Sequence, residues 1–226
     1  MPLPARIGRL RPPVLCLVIG RSHIEGKEID EVVAQAVEGG VTMVQLREKT
    51  TSAGELVEIA RRLKKITRGK ALLVINDRVD VAMAVEADGI HLPDAGLPTR
   101  ATRSLIFHHA VVGRSVHDVE AAVRASKEGA DYVFAGTIYK TASKPDAKPV
   151  GPALVKNITE IASIPVLAIG GVTAARVEEL VGAGAAGVAV ISAIAGAADV
   201  KAAAQELRDA LTEAWTKRDE AVPASA

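Results

Sequence analysis

The chain has 226 residues, a formal net charge of +1, 49% apolar residues and only 2% aromatic residues. That near-neutral balance gives no electrostatic basis for binding nucleic acid or a membrane surface. There is no uninterrupted apolar run of about 18 residues, and the basic N-terminus MPLPARIGRLRPP lacks the apolar segment of a secretory signal, so a cytoplasmic enzyme is expected.

With so few rings, the core must be built from Val, Ile, Leu and Ala, which the interior of a parallel sheet prefers. Short β-branched runs alternate with longer amphipathic stretches, the order of βα units. The first strand is expected at 14–19. It contains Cys16, the one cysteine, which reads as a small buried core residue and not as a nucleophile. A helix over 28–37 places Ile29, Val32, Val33 and Ala36 at helical spacing, and a second over 55–66 does the same with Leu56, Ile59, Ala60 and Leu63. Further strands are expected at 42–46, 71–75, 89–92, 111–114, 132–135, 166–169 and 187–191. The helix after the double glycine at 170–171 is carried by Val177, Leu180 and Val181. Gly39-Gly40, Gly129-Ala130-Asp131 and Gly182-Ala183-Gly184 each sit where a helix ends and a strand begins, the place for a left-handed cap.

Eight strands, at least seven helical segments and no linker predict a single (β/α)8 TIM barrel over residues 13–215. A doubly wound open sheet uses the same local pattern and is the structural alternative. Residues 1–12 form an N-terminal extension, loose or packed across the barrel bottom. Residues 216–226, polar and rich in Ala with one Pro, are expected to be a flexible tail.

In such a barrel, chemistry sits at the C-terminal ends of the strands. After strand 2 comes Gln45-Leu46-Arg47-Glu48-Lys49, where alternation aims Gln45, Arg47 and Lys49 one way. Two cations and an amide in a barrel mouth suit a diphosphate and a heterocycle; the plain alternative is a solvated strand end. After strand 3, Asn76-Asp77 offers a plausible Mg²⁺ carboxylate, although Asp77 would equally cap the helix from Val79. His91, after strand 4, is an acid/base candidate or a polar core residue. Ser115, after strand 5, suits a phosphate, while His117-Asp118 could simply open the next helix. The loop 136–150 carries Thr141, Ser143 and Lys144 and has the length of a lid. Gly170 and Gly171, with Ile191 and Ser192 after strand 8, read as a phosphate cup of backbone N–H groups. His23, His108 and His109 are assigned to the surface.

The ordered set QLREK at 45–49, ND at 76–77, GIHL at 89–92, GRSVH at 113–117, TASK at 141–144, AIGGV at 168–172 and GVAVISAI at 187–194 resembles the thiamine phosphate synthase/TenI superfamily. The resemblance runs from about Leu15 to Ile194. It implies a (β/α)8 barrel that couples hydroxymethylpyrimidine diphosphate to hydroxyethylthiazole phosphate with release of pyrophosphate and with Mg²⁺ as cofactor. A TenI-type thiazole phosphate tautomerase, or a non-catalytic thiazole phosphate-binding relative, is the alternative. Carried over, the resemblance gives Gln45, Arg47, Lys49 and Asn76 to the pyrimidine diphosphate and Asp77 to Mg²⁺. Ser115 and Lys144 go to the diphosphate, with Thr141 and Ser143 on the thiazole phosphate. Gly170, Gly171, Ile191 and Ser192 form its cup, and His91 lies in the substrate site. The partners implied are small phosphorylated pyrimidine and thiazole ligands; the sequence leaves homo-oligomer formation open.

Two positions depart from this pattern. The synthase branch has an Asp as second Mg²⁺ ligand where this chain has Gly96, leaving Asp94 as the nearby carboxylate that could compensate. The tautomerase branch has a histidine where this chain has Thr137. One signature of each branch is thus missing, and the intact QLREK and ND segments favour coupling.

Overall fold

A computed structural model describes residues 10–24 and 26–221. Eight parallel strands close into a barrel in chain order. They are β1 (Val14–Ile19), β2 (Met43–Leu46), β3 (Leu72–Asn76), β4 (Gly89–Leu92), β5 (Val111–Val116), β6 (Tyr132–Ala135), β7 (Val166–Ile169) and β8 (Gly187–Val190). The helices are α1 (Ile29–Glu38), α2 (Ala53–Thr67), α3 (Val79–Ala84), α4 (Thr99–Leu105), α5 (Val119–Lys127), α6 (Ala153–Ile161), α7 (Ala174–Gly182), α8 (Ser192–Ala195) and α9 (Val200–Ala221). Pairing of β1 with β8, Val14 opposite Gly187, closes the sheet and rules out the open alternative. Strand β5 runs two residues beyond its expected end because Ser115 and Val116 pair with Phe134 and Ala135.

The period of two along each strand divides the core into two layers. Val14, Cys16 and Val18 face the barrel interior together with Met43, Val74, Val111, Tyr132, Phe134, Leu167 and Ala189. Leu15, Leu17 and Ile19 face the other way and pack against the helices with Val32, Val33, Leu56 and Leu63. Burial pushes the Cys16 thiol well above its ordinary range, which keeps it protonated and inert. Tyr132 fits inside the barrel because its neighbour across β5 is Gly113, where any Cβ would run into the ring. The three helix-ending glycine turns form as expected, with Gly40, Gly129 and Gly184 at positive φ.

Helix α9 corrects the expected tail. It continues six residues past Trp215, so the segment from Thr216 to Ala221 is helical. The polar residues there are held by pairs that sequence polarity alone conceals: Lys217 bridges Glu213 and Glu178, and the Arg218 guanidinium lies 3.5 Å from the Trp215 ring centroid. Upstream, Val200, Ala204, Leu207, Leu211 and Ala214 make its buried face. Residues 1–9 and 222–226, and so most of the expected N-terminal extension and the end of the tail, lie outside the described residues. Leu10 is described, and it joins the cluster at the bottom of the barrel interior. Among the described residues, no helix is long and apolar enough to cross a membrane.

Candidate active site

Inward-facing parity, followed to the C-terminal end of each strand, leads into one cavity of about 750 Å³. Val18, Gln45, Asn76, His91, Ser115, Phe134, Ile169 and Ala189 form its floor. Arg47, Lys49, His117, Gly171 and Ile191 continue the same parity upward. The loop after β6 adds Thr141, Ser143 and Lys144, and the β4 loop adds Asp94.

Gln45 is buried although amphipathic, and its Nε2 donates to Asn76 Oδ1 at 2.9 Å. Its Oε1 has no partner among the described residues. A buried acceptor without a donor costs about 1–3 kcal/mol unless a ligand supplies one. Arg47 and Lys49 stand above this pair. Glu48, of opposite parity, turns instead to the β1 loop: its carboxylate accepts from the Arg21 backbone N–H at 2.6 Å and from Thr51 Oγ1 at 3.1 Å. That loop makes a 3-10 turn, Arg21–His23, and brings His23 to the cavity wall. The surface assignment of His23 is therefore corrected. Its Nδ1 accepts from the Gly20 N–H, and burial with Arg47 and Lys49 nearby lowers its pKa. His108 and His109 are exposed, and His109 stacks on Phe107.

His91 is fully buried between Phe134 and Tyr132, with ring centroids 4.1 and 5.6 Å away. Its Nε2 lies 2.9 Å from Ser115 Oγ and its Nδ1 lies 3.3 Å from Tyr132 Oη. Both ring nitrogens are thus engaged within the protein. Burial, with Arg114 and Arg47 nearby, pushes its pKa down to about 3. His117 is exposed at the mouth, and its Nδ1 bonds the Gly136 carbonyl. A carbonyl only accepts, so Nδ1 carries a hydrogen and Nε2 is left for the cavity. Asp118 next to it does open α5, accepting from the Ala121 N–H at 2.7 Å.

The opposite wall is made of backbone. Gly170 and Gly171 adopt φ of 102° and 64°, which bends β7 away and brings Gly171 under the β6 loop. A Cβ on Gly171 would sit 2.5 Å from the Lys140 carbonyl oxygen. Ile191 precedes the short helix α8, whose first N–H groups lack intrahelical partners. The β6 loop is fastened over this wall by the Tyr139 N–H to Gly170 O, by Tyr139 Oη to Glu179 at 2.5 Å, and by Arg176 stacked 4.3 Å from the Tyr139 ring centroid.

The sequence profile of the family described as Thiamine monophosphate synthase matches residues 15–194. The chain belongs to that family. A thiamine-phosphate synthase of Shouchella clausii is 40% identical over 207 residues, spanning 91% of this chain and 99% of that one. One from Haloarcula marismortui is 44% identical over 202 residues, spanning 87% and 96%. The solved thiamine phosphate pyrophosphorylase from Pyrococcus furiosus is 37% identical and matches with a TM-score of 0.83, covering 92% of this chain and 98% of that chain.

In this member of the thiamine monophosphate synthase family, the carboxylates expected to hold Mg²⁺ are the residues that parity does not bring into the cavity together. Asn76 faces the cavity, so Asp77 does not, and it is absent from the lining. Asp77 is exposed with φ of 63°, its N–H donating to His91 O. It is not a helix cap either: the N-cap of α3 is Arg78, with no side-chain cap bond. A Cβ on Gly96 would lie 2.9 Å from Asp77 Oδ1, so the two positions are adjacent although only one bears a carboxylate. Asp94 lines the cavity on the same loop, which Arg114 holds through Asp94 O and Leu97 O. No group of three metal-ligating side chains occurs among the described residues. This donor set fits Mg²⁺ in the mode that relies on substrate phosphates and water beyond one or two carboxylates.

Proposed function

We propose that the chain couples hydroxymethylpyrimidine diphosphate to hydroxyethylthiazole phosphate, releasing pyrophosphate, as a cytoplasmic thiamine-phosphate synthase. The observation that carries this reading is one cavity lined both by the cations Arg47, Lys49 and Lys144 and by the backbone turns at Gly170, Gly171, Ile191 and Ser192. Two phosphorylated substrates held with their reacting atoms face to face is the arrangement that coupling requires.

Gln45 and Asn76 hold the pyrimidine, with the free Gln45 Oε1 accepting from a ring substituent. Arg47, Lys49, Ser115 and Lys144 take the diphosphate. Thr141 and Ser143, carried on the β6 loop, reach the thiazole phosphate in its cup and cover the cavity against water. The C–O bond between the pyrimidine methylene and the diphosphate breaks, its electron pair leaving with pyrophosphate. The thiazole nitrogen lone pair forms the new C–N bond, and no proton need move. Charge grows on the leaving group, so fixed cations around it lower the barrier. Asp77 and Asp94 would hold Mg²⁺, whose charge would offset part of the charge on the leaving group.

The TenI-type tautomerase is the second reading, and His117 Nε2 at the cavity is the observation on its side. Position 137, where that branch has its histidine, is a buried threonine. One preparation assayed for both reactions decides between them. Coupling activity with both substrates and Mg²⁺, lost in Lys49→Ala, is expected. Tautomerisation without coupling overturns the proposal, as does binding of both substrates without turnover.

A further inference from the structure

Of five aromatic residues in the chain, two stand inside the barrel directly beneath the cavity, and one of them carries a hydroxyl. Tyr132 Oη, His91 and Ser115 Oγ form a continuous hydrogen-bonded line from the buried interior to the cavity surface. We propose that Tyr132 is a positioning residue that acts through His91 to make Ser115 a hydrogen-bond donor toward the diphosphate. The proposal rests on the placement of Ser115 in the coupling site above.

The direction of this line depends on which ring nitrogen of His91 carries its hydrogen. The imidazole is uncharged, because it is fully buried between two aromatic rings and its nitrogens face hydroxyls, with no carboxylate among the described residues to pair a charge. It therefore holds one N–H and one lone pair. If the hydrogen sat on Nδ1, it would be donated to Tyr132 Oη, and the tyrosine proton would need another acceptor. Tyr132 is fully buried and, among the described residues, His91 Nδ1 is the hydrogen-bond partner of its hydroxyl. That tautomer strands a buried donor, a cost large enough to shift the equilibrium roughly tenfold or more. With the hydrogen on Nε2, everything is satisfied. Tyr132 donates to Nδ1, and Nε2 donates to Ser115 Oγ.

The orientation of Ser115 follows from this. Its oxygen already accepts from His91, so its own proton points elsewhere, and Ser115 lines the cavity. A hydroxyl whose proton is free to donate matches an anionic oxygen; one spent on donating to an imidazole would present lone pairs to it. Phe134 against the ring face and Gly113 beside the tyrosine ring keep the line straight by packing alone.

Long-range ¹H–¹⁵N correlations of the histidine rings test this in the unliganded protein, without any turnover. His91 is expected with its hydrogen on Nε2, and a hydrogen on Nδ1 overturns the proposal. The variant Tyr132→Phe, which removes one buried oxygen, is expected to shift His91 toward the Nδ1–H form. It should also weaken binding of inorganic pyrophosphate, at fixed Mg²⁺, by roughly tenfold. Adding Ser115→Ala to Tyr132→Phe should cost nothing more, since both remove the same donor. Unchanged affinity in Tyr132→Phe, or losses that multiply in the double variant, overturn the relay. If the tautomer and pyrophosphate results hold while coupling is absent, the coupling reading fails and the relay stands. Should Tyr132→Phe fail to fold, the wild-type tautomer still decides.

Discussion

Gln45 Nε2 donates to Asn76 Oδ1 across β2 and β3, and the remaining Gln45 oxygen is buried with nothing to accept from among the described residues. The pair fixes which end of the amide faces a ligand. In Gln45→Met the volume is kept while the unpartnered oxygen and the bond to Asn76 disappear together. These two changes oppose one another, so stability should move by less than about 1.5 kcal/mol. Affinity for the pyrimidine diphosphate should fall by roughly tenfold or more. Calorimetry beside a thermal melt checks both. Unchanged affinity would remove Gln45 from the pyrimidine site.

The backbone cup can be separated from the lid that covers it. Gly171 has φ of 64° and almost touches Lys140 O through any added Cβ, so Gly171→Ala should destabilise by about 1–3 kcal/mol and loosen the loop. Ser192 is exposed and free of that constraint. Ser192→Asp should leave the melting temperature nearly unchanged yet abolish thiazole phosphate binding through like charge. Retained binding in Ser192→Asp would place the phosphate elsewhere.

Gly96 tests the metal site. A Cβ there meets Pro93 Cδ at 2.8 Å and Asp77 Oδ1 at 2.9 Å, so Gly96→Asp must displace the Pro93 ring and set two carboxylates together. Without divalent cation the variant should melt lower than wild type. Mg²⁺ alone should restore it, whereas Mg²⁺ alone should leave the wild type unmoved. Adding the carboxylate should also lower the Mg²⁺ needed for half-maximal coupling. Equal Mg²⁺ responses in both proteins would mean that Asp94 already completes the site, which Asp94→Ala would then expose.

The buried His91 gives stability an acid limb. Its pKa falls from an ordinary 6.5 when unfolded to about 3 when folded. Between those values the unfolded chain binds a proton that the native chain does not, so stability is full above pH 6.5 and falls as the pH drops. The slope is about 1.4 kcal/mol per pH unit, or about 2 kcal/mol between pH 6.5 and 5. His23, also lowered, adds in the same direction. Urea titrations at pH 7 and pH 5 should show this loss in wild type and a smaller one in His91→Gln. Parallel losses would show that His91 is not the responsible group.

Most of the barrel was readable because its strands carry two independent signals, β-branched composition and an end marked by polar residues. Alternation alone places Gln45, Arg47 and Lys49, and the same rule applied to Ser115 leads two residues on to His117, which by local sequence reads as a helix start. It also sets Asp77, one residue off the inward parity of Asn76, outside the cavity lining. His23 had no such signal. It reaches the cavity through a turn fastened by Glu48, whose tie to Arg21 spans 27 residues of sequence. The link from Tyr132 to His91 spans 41 residues and depends on Gly113 making room, a contact no local pattern announces. The last turns of α9 escape a reading of polarity because their polar side chains find partners on α7 and on the helix itself.

The seam of the barrel joins the two ends of the chain. Strand β1 needs β8 as well as β2, Arg208 on α9 donates to Pro13 O at 2.8 Å, and Lys27 Nζ reaches Ala197 O at 2.5 Å. These are contacts of high sequence separation, whose closure entropy is spent late. During synthesis β1 therefore leaves the ribosome with one edge open and keeps it open until β8 has followed. The family match ends at residue 194, but the helix that covers the seam begins only at Val200. A fragment cut at the end of the match should carry every cavity residue and still present an unshielded apolar stripe, and limited proteolysis should find it far more readily digested than the full chain.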